Sequence, residues 1–159
     1  MKVTGKQISL LIACIIGVEL VGSLSGLLAG DIRGQYAAMT KPPFSPPGSW
    51  VGIIWIVLYF LIGVSLYLLI TADARQKNKQ QAILLFVIQL IVNFIWSLIF
   101  FGGEYMWIGA ILCLALAGLI LLSIVLFYRV QIWAARLFIP YFLWICFASY
   151  LSIGLALLN

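Results

Sequence analysis

The chain has 159 residues, 65% of them hydrophobic and 8% charged, with a mean hydropathy of +1.22 and a net charge of +5. A soluble domain carries about 25% charged and about 45–50% apolar residues, so this composition belongs to an integral membrane protein. Histidine is absent, which removes the commonest metal ligand, the usual general base and the usual haem ligand, and the few basic residues sit in loops, where they suit anionic headgroups rather than nucleic acid.

Lys2 and Lys6 precede an apolar run from about residue 8 to residue 29. At roughly 22 residues the run is long enough to span a bilayer and longer than the core of a signal peptide. It carries Gly22, Gly26 and Gly30 at four-residue spacing, a face that permits close helix approach, and Glu19 near its middle. An acid at that depth is either a functional group, ion-coupled or substrate-binding, or a protonated glutamate bonded to a neighbouring helix.

Residues 30–49 form the first loop, with Asp31, Arg33, Tyr36, Lys41 and the run Pro42-Pro43-Phe44-Ser45-Pro46-Pro47. Each proline removes a backbone donor and restricts the residue before it, so the run is a stiff extended lead-in to the next helix. The second span covers about 50–70 and the third about 82–101, with the polar loop 73–80 between them. Gly102, Gly103 and Glu104 make a tight turn before a fourth span at about 106–127. The fifth runs from about 133 to 158 with Pro140 inside it, where a kink is expected. The expected fold is all-α: a single five-transmembrane-helix bundle.

An odd number of spans puts the termini on opposite sides. Lys2, Lys6, Arg75, Lys77, Lys79, Arg129 and Arg136 then share one side, against Arg33 and Lys41 on the other. The positive-inside rule therefore predicts a cell-membrane protein with a cytoplasmic N-terminus and an outward C-terminus and first loop.

Residues three or four apart share a helix face. Trp55 and Tyr59 align on the second span; Gln89, Asn93, Trp96, Ser97 and Phe100 on the third; Pro140, Tyr141, Trp144, Phe147, Ala148 and Ser152 on the fifth. Amides inside a bilayer are costly unless satisfied, so Gln89 and Asn93 face the bundle interior, where they either bond neighbouring helices or meet a ligand. For any single Trp ordinary packing suffices. Three helices that each turn Trp or Tyr inward beside polar partners describe a pocket for a flat apolar ligand. Cys14, Cys113 and Cys146 lie in apolar runs without CxxC spacing and read as small buried residues, with no metal site or cofactor expected. No Ser-His-Asp, Cys-His or paired-carboxylate set is visible, which leaves hydrolysis without residues to run on.

Lys41 to Gly48, followed by Trp55, Leu58 and Tyr59, resembles the KPxxxPPG…WxxLY signature of the TspO family, the tryptophan-rich sensory proteins related to the mitochondrial translocator protein. Asn93-Phe94-Ile95-Trp96-Ser97 with Phe100-Phe101 is similar to the family's NxxWSxxFF motif. Pro140-Tyr141 with Trp144, Phe147 and Ala148 is similar to its PYxxWxxFA motif. The motifs stand in family order over nearly the whole chain.

The resemblance implies a five-helix bundle, commonly a homodimer, with a pocket closed by the first loop. The ligands it implies are porphyrins such as protoporphyrin IX, isoquinoline and benzodiazepine drugs, and in animal members cholesterol. Motif matching implies Trp55 and Trp144 as pocket tryptophans, which bacterial members are said to use in light-dependent porphyrin breakdown. It makes Asn93 and Trp96 a pocket wall and Tyr36 a loop aromatic. Around these, the candidate ligand-binding set is Tyr36, Pro47, Trp55, Tyr59, Gln89, Asn93, Trp96, Cys113, Pro140, Trp144, Phe147 and Ala148. Two positions depart from the family: Leu151 is followed by Ser152 where an Asn is common, and no base follows Tyr150, which argues against cholesterol. Transport is a further alternative, coupled through Glu19 if it is protonic. Five spans and the lack of an inverted repeat weaken it.

Overall fold

The computed structural model describes residues 4–103 and 105–159; Lys2, counted above with the basic end, and Glu104, placed above in a turn, lie outside them. The described residues form α1 (Gly5–Leu28), α2 (Ile32–Ala38), α3 (Gly48–Thr71), α4 (Gln76–Ser97), α5 (Met106–Tyr128) and α6 (Ile132–Leu158), with a π-helical turn, Leu98–Gly102, continuing α4. Five of these, 23–27 residues long when the π turn is counted with α4, are long and apolar enough to cross a membrane. The protein is an all-α, multi-pass membrane protein.

Local chemistry sets the ends. Before α1 the Thr4 N–H donates to the Gln7 side chain at 3.0 Å, which satisfies a donor that the first turn cannot. α3 starts at Gly48, directly after the prolines, with Pro47 at its N-cap. α4 starts at Gln76, six residues ahead of the expected 82, so most of the polar loop is helix. A helix continues past the hydrocarbon because its backbone bonds outlast the apolar side chains that mark the span. The first loop also contains a helix that the sequence reading did not anticipate. Gly30, at φ +87°, turns the chain out of α1, and the Asp31 carboxylate accepts the Gly34 N–H at 3.0 Å to cap α2. α6 continues helical through Pro140.

The five long helices form a ring in which α1 packs on α3, α3 on α6, α6 on α5, α5 on α4, and α4 returns to α1. Small residues set the closest approaches. A Cβ on Gly63 would fall 2.6 Å from the Ile15 Cα, so α1 and α3 meet backbone to backbone. Gly109 of α5 accommodates the Phe100 ring, and the Cys113 thiol lies 3.8 Å from the Ile145 carbonyl of α6. Gly22 accommodates the Tyr59 ring. Of the small-residue face read from the sequence, Gly22 therefore serves packing within the protomer, whereas a Cβ on Gly26 or Gly30 would meet nothing within 4 Å. Hydroxyls add interhelical bonds, Ser25 to the Phe94 carbonyl at 3.1 Å and Ser65 to the Ala134 carbonyl at 3.0 Å. Cys14 and Cys113 are buried, but Cys146, expected to be so, is exposed on the outer face of α6.

Candidate functional site

A cavity of about 610 Å³ opens between α1, α3, α4 and α6, with α2 across its mouth. Its walls are mostly aromatic. Trp55 lies against Tyr59 at 5.2 Å between ring centroids, near-parallel, and meets Trp96 at 6.2 Å and Tyr141 at 6.3 Å. Trp96 continues the wall into Phe100 at 5.7 Å and Phe101 at 6.1 Å. The π turn makes this possible: its wider winding lets the adjacent residues Phe100 and Phe101 both reach the cavity. Trp144 of α6 also lines the cavity, and Trp96 and Trp144 each keep a buried indole N–H with no acceptor among the described residues. Such donors are expensive to leave unpaired.

Beside the aromatic wall runs a continuous hydrogen-bonded chain. The Tyr59 hydroxyl donates to Asn93 Oδ1 at 2.7 Å, and Asn93 Nδ2 donates to the Tyr141 hydroxyl at 3.0 Å. The Tyr141 hydroxyl donates to Gln89 Oε1 at 3.1 Å, and Gln89 Nε2 ends the chain on the Phe86 carbonyl at 2.9 Å. Each amide uses both an acceptor and a donor, so three helices are tied together without an orphaned group along the chain.

The mouth is held by the first loop. Tyr36 of α2 lines the cavity while its buried hydroxyl donates to the Pro46 carbonyl at 3.0 Å. Burial pushes the Tyr36 phenol above its ordinary pKa, with the nearby Ser45 hydroxyl opposing more weakly. Among the described residues that line the cavity, Arg33 and Asp31 are the only charged ones, both at the mouth. The loop is in turn fastened to α6. Asn159 accepts the Thr40 N–H at 2.9 Å and donates to the Thr40 carbonyl at 3.0 Å, and Tyr150 donates to the Pro43 carbonyl at 2.9 Å.

Comparison with known proteins agrees with this arrangement. A family model described as TspO/MBR matches residues 11–158. The chain belongs to the TspO/MBR family. It is 37% identical over 150 residues to the tryptophan-rich protein TspO of Archaeoglobus fulgidus, covering 94% of this chain and 96% of the relative. It is 31% identical over 156 residues to that of Chlorobaculum tepidum, covering 97% and 98%. It is also 31% identical over 143 residues to the translocator protein of Sus scrofa, covering 86% and 85%. Membership in TspO/MBR, with a cavity inside the bundle, supports a ligand-binding or translocating role in a membrane.

The three TspO/MBR motifs contribute unequally to the cavity. Tyr36, Trp55, Tyr59, Asn93, Trp96, Trp144 and Ala148 line it. The other five candidates lie off it. Pro47 is exposed at the start of α3, and Pro140 is exposed on α6. Cys113 is fully buried between α5 and α6, because α5 contributes no lining residue at all. Gln89 is fully buried below the cavity as the last side chain of the polar chain. Phe147 packs between Trp144, at 5.7 Å, and Tyr150, at 6.1 Å, linking a cavity wall to the residue that holds the loop. The hydroxyl protons of Tyr36 and Tyr59, expected to orient a ligand, are already donated within the protein. Glu19 is half-buried, one turn from Gly22, and does not line the cavity.

Sequence reading gave Gly22 and Gly26 of α1 to helix approach rather than to the cavity, and did not place Leu27 of α1 or Leu151 and Leu155 of α6 on its wall. Apolar and glycine positions carry no distinguishing signal in a chain this hydrophobic. Ser152, noted above as a departure from the family, is buried and lines the cavity.

Proposed function

We propose that this TspO/MBR protein is a membrane receptor for porphyrins, protoporphyrin IX among them, and for other planar apolar ligands such as isoquinoline and benzodiazepine drugs. The observation that carries the reading is the cavity of about 610 Å³ with Trp55, Trp96 and Trp144 on three different helices around it. Its size falls within the range of about 300–1,000 Å³ usual for small-molecule sites, and flat aromatic walls favour a flat ligand. The unpartnered indole N–H groups of Trp96 and Trp144 favour a ligand that brings acceptors. Arg33 at the mouth suits an anionic substituent left outside the apolar interior. In the same reading the loop end faces outward and the end bearing Arg75, Lys77, Lys79, Arg129 and Arg136 faces the cytoplasm.

The test is a titration of the purified protein with protoporphyrin IX in the dark, read by tryptophan quenching and porphyrin absorbance. Saturable quenching with a stable spectrum supports a receptor. Trp55→Leu/Trp144→Leu should weaken affinity roughly 5- to 150-fold, since two stacking partners contribute about 0.5–1.5 kcal/mol each beyond area burial. Unchanged affinity in that variant would end the proposal. Light-dependent loss of the absorption band, present in the native chain and absent in the variant, would instead assign an enzyme acting through Trp55 and Trp144. Net porphyrin movement across proteoliposomes would assign a transporter.

A further inference from the structure

We propose that the tip of the first loop, Pro43 and Phe44, is inserted into the lipid leaflet at its end of the bundle, so that the cover of the cavity is anchored in the bilayer as well as to α6. The loop does not rise away from the helices. Thr40 is bonded to Asn159, Pro42 packs where a Cβ on Gly154 would fall 2.7 Å away, and the Pro43 carbonyl is bonded to Tyr150. Those three α6 positions descend the helix in step with the loop. At 1.5 Å per residue, Tyr150 lies about 13 Å along the axis from Asn159. α6, with 27 residues, is about 40 Å long against a hydrocarbon core of about 30 Å, so that descent carries the loop tip past the helix end to the acyl boundary. Gly154 is what allows the Pro42 ring to lie so close to α6.

Phe44 is 89% exposed there, the most exposed of the large apolar side chains in the described residues. Its φ of +63° places it in the left-handed region, following Pro43 as the third residue of a turn in which the Ser45 hydroxyl donates to the Pro42 carbonyl at 2.7 Å. Glycine is the ordinary residue at that position, since a type II turn needs positive φ after its proline. The protein holds a bulky aromatic in an unfavourable backbone conformation and gives it no protein to pack against. Lipid supplies the missing contact. Trp50, Tyr105 and Trp107, all exposed at the same end of the bundle, form the belt that marks the interface, and Phe44 carries no polar atom to keep it at headgroup level.

The experiment uses the full chain in phosphatidylcholine vesicles, with Cys146→Ser to remove the exposed thiol, and a spin label at Phe44→Cys or at the α2 control Ala37→Cys. The label at position 44 should collide several-fold more with oxygen than with a water-soluble nickel chelate, and the label at 37 should show the reverse. Equal nickel access at both positions overturns the proposal. Dipolar broadening between labels at 44 overturns it in favour of a second copy of the chain as the covering partner. A label-free variant serves where labelling disturbs the turn. Phe44→Gly relieves the backbone, yet amide exchange across residues 39–45 in vesicles, corrected for intrinsic rates, should rise several-fold because the anchor is lost. Unchanged or slower exchange would mean that Phe44 contributes strain alone.

Discussion

Asn93→Ala is the perturbation that tests the polar chain most directly. It removes two bonds at once, the one accepted from Tyr59 and the one donated to Tyr141, and leaves the Tyr59 hydroxyl proton buried without an acceptor. Side-chain bonds between transmembrane helices average about 0.6 kcal/mol and reach about 1.7, so the loss should be about 1–3 kcal/mol, roughly 5- to 150-fold in the unfolding equilibrium. Tyr141→Phe removes the shared bond together with the one to Gln89, and should cost a similar amount. Tyr59→Phe breaks a single bond and should cost least. The decisive quantity is the coupling in the Asn93/Tyr141 cycle, measured by reversible unfolding in mixed micelles. Because the shared bond is lost in each single variant, the double variant should fall short of the summed costs by about 0.6–1.7 kcal/mol. Strict additivity would show that the two side chains stabilise the bundle independently, and the idea of one connected chain would fail.

The other expectations concern the ring, the loop and the acid. Gly63→Ala puts a Cβ against the backbone at Ile15, which cannot swing aside, so it should destabilise the bundle by about 1–3 kcal/mol or more, whereas Gly26→Ala, which meets nothing within 4 Å, should leave melting unchanged. Asn159→Ala frees both backbone groups of Thr40 and should speed ligand release several-fold in stopped-flow quenching, with melting shifted little because the only long-helix bond lost is the one to the Leu155 carbonyl in the last turn of α6. The Tyr36 phenol is raised, so the folded protein keeps this proton where the unfolded chain has begun to lose it. Its bond to Pro46 should therefore hold across pH 6–9, and stability should fall only as pH rises above about 10, readable in a pH series of melting curves and lost in Tyr36→Phe. Glu19→Gln should leave ligand affinity unchanged, since the residue lies off the cavity, and a tenfold change in titration would contradict that placement.

Much of this architecture was written in the sequence. Composition alone demands a membrane protein, since so few charges cannot solvate a surface, and the lengths of the apolar runs give the five spans. Helical spacing placed Trp55, Tyr59, Asn93 and Trp96 on inward faces, because an amide or indole in a bilayer must find company. The limits of that reasoning are equally physical. Periodicity sorts residues by face but not by depth along the face, so Gln89 could not be told from Asn93, one turn away, although only Asn93 reaches the cavity. Nor does it say which inward faces meet each other: Cys113 and Trp144 both point inward, and the order of helices around the ring puts only Trp144 on the cavity. A seven-residue helix such as α2 has too few turns to show a period, and its one signal was a capping Asp31. The π turn that brings Phe100 and Phe101 together leaves no mark in composition. Sequence by itself fixed the solvent, the number of spans and the residues that must turn inward, because those follow from local burial costs. Tertiary structure alone decided which of them share the cavity and how the loop is held to α6, because those depend on contacts between residues as far apart as Thr40 and Asn159.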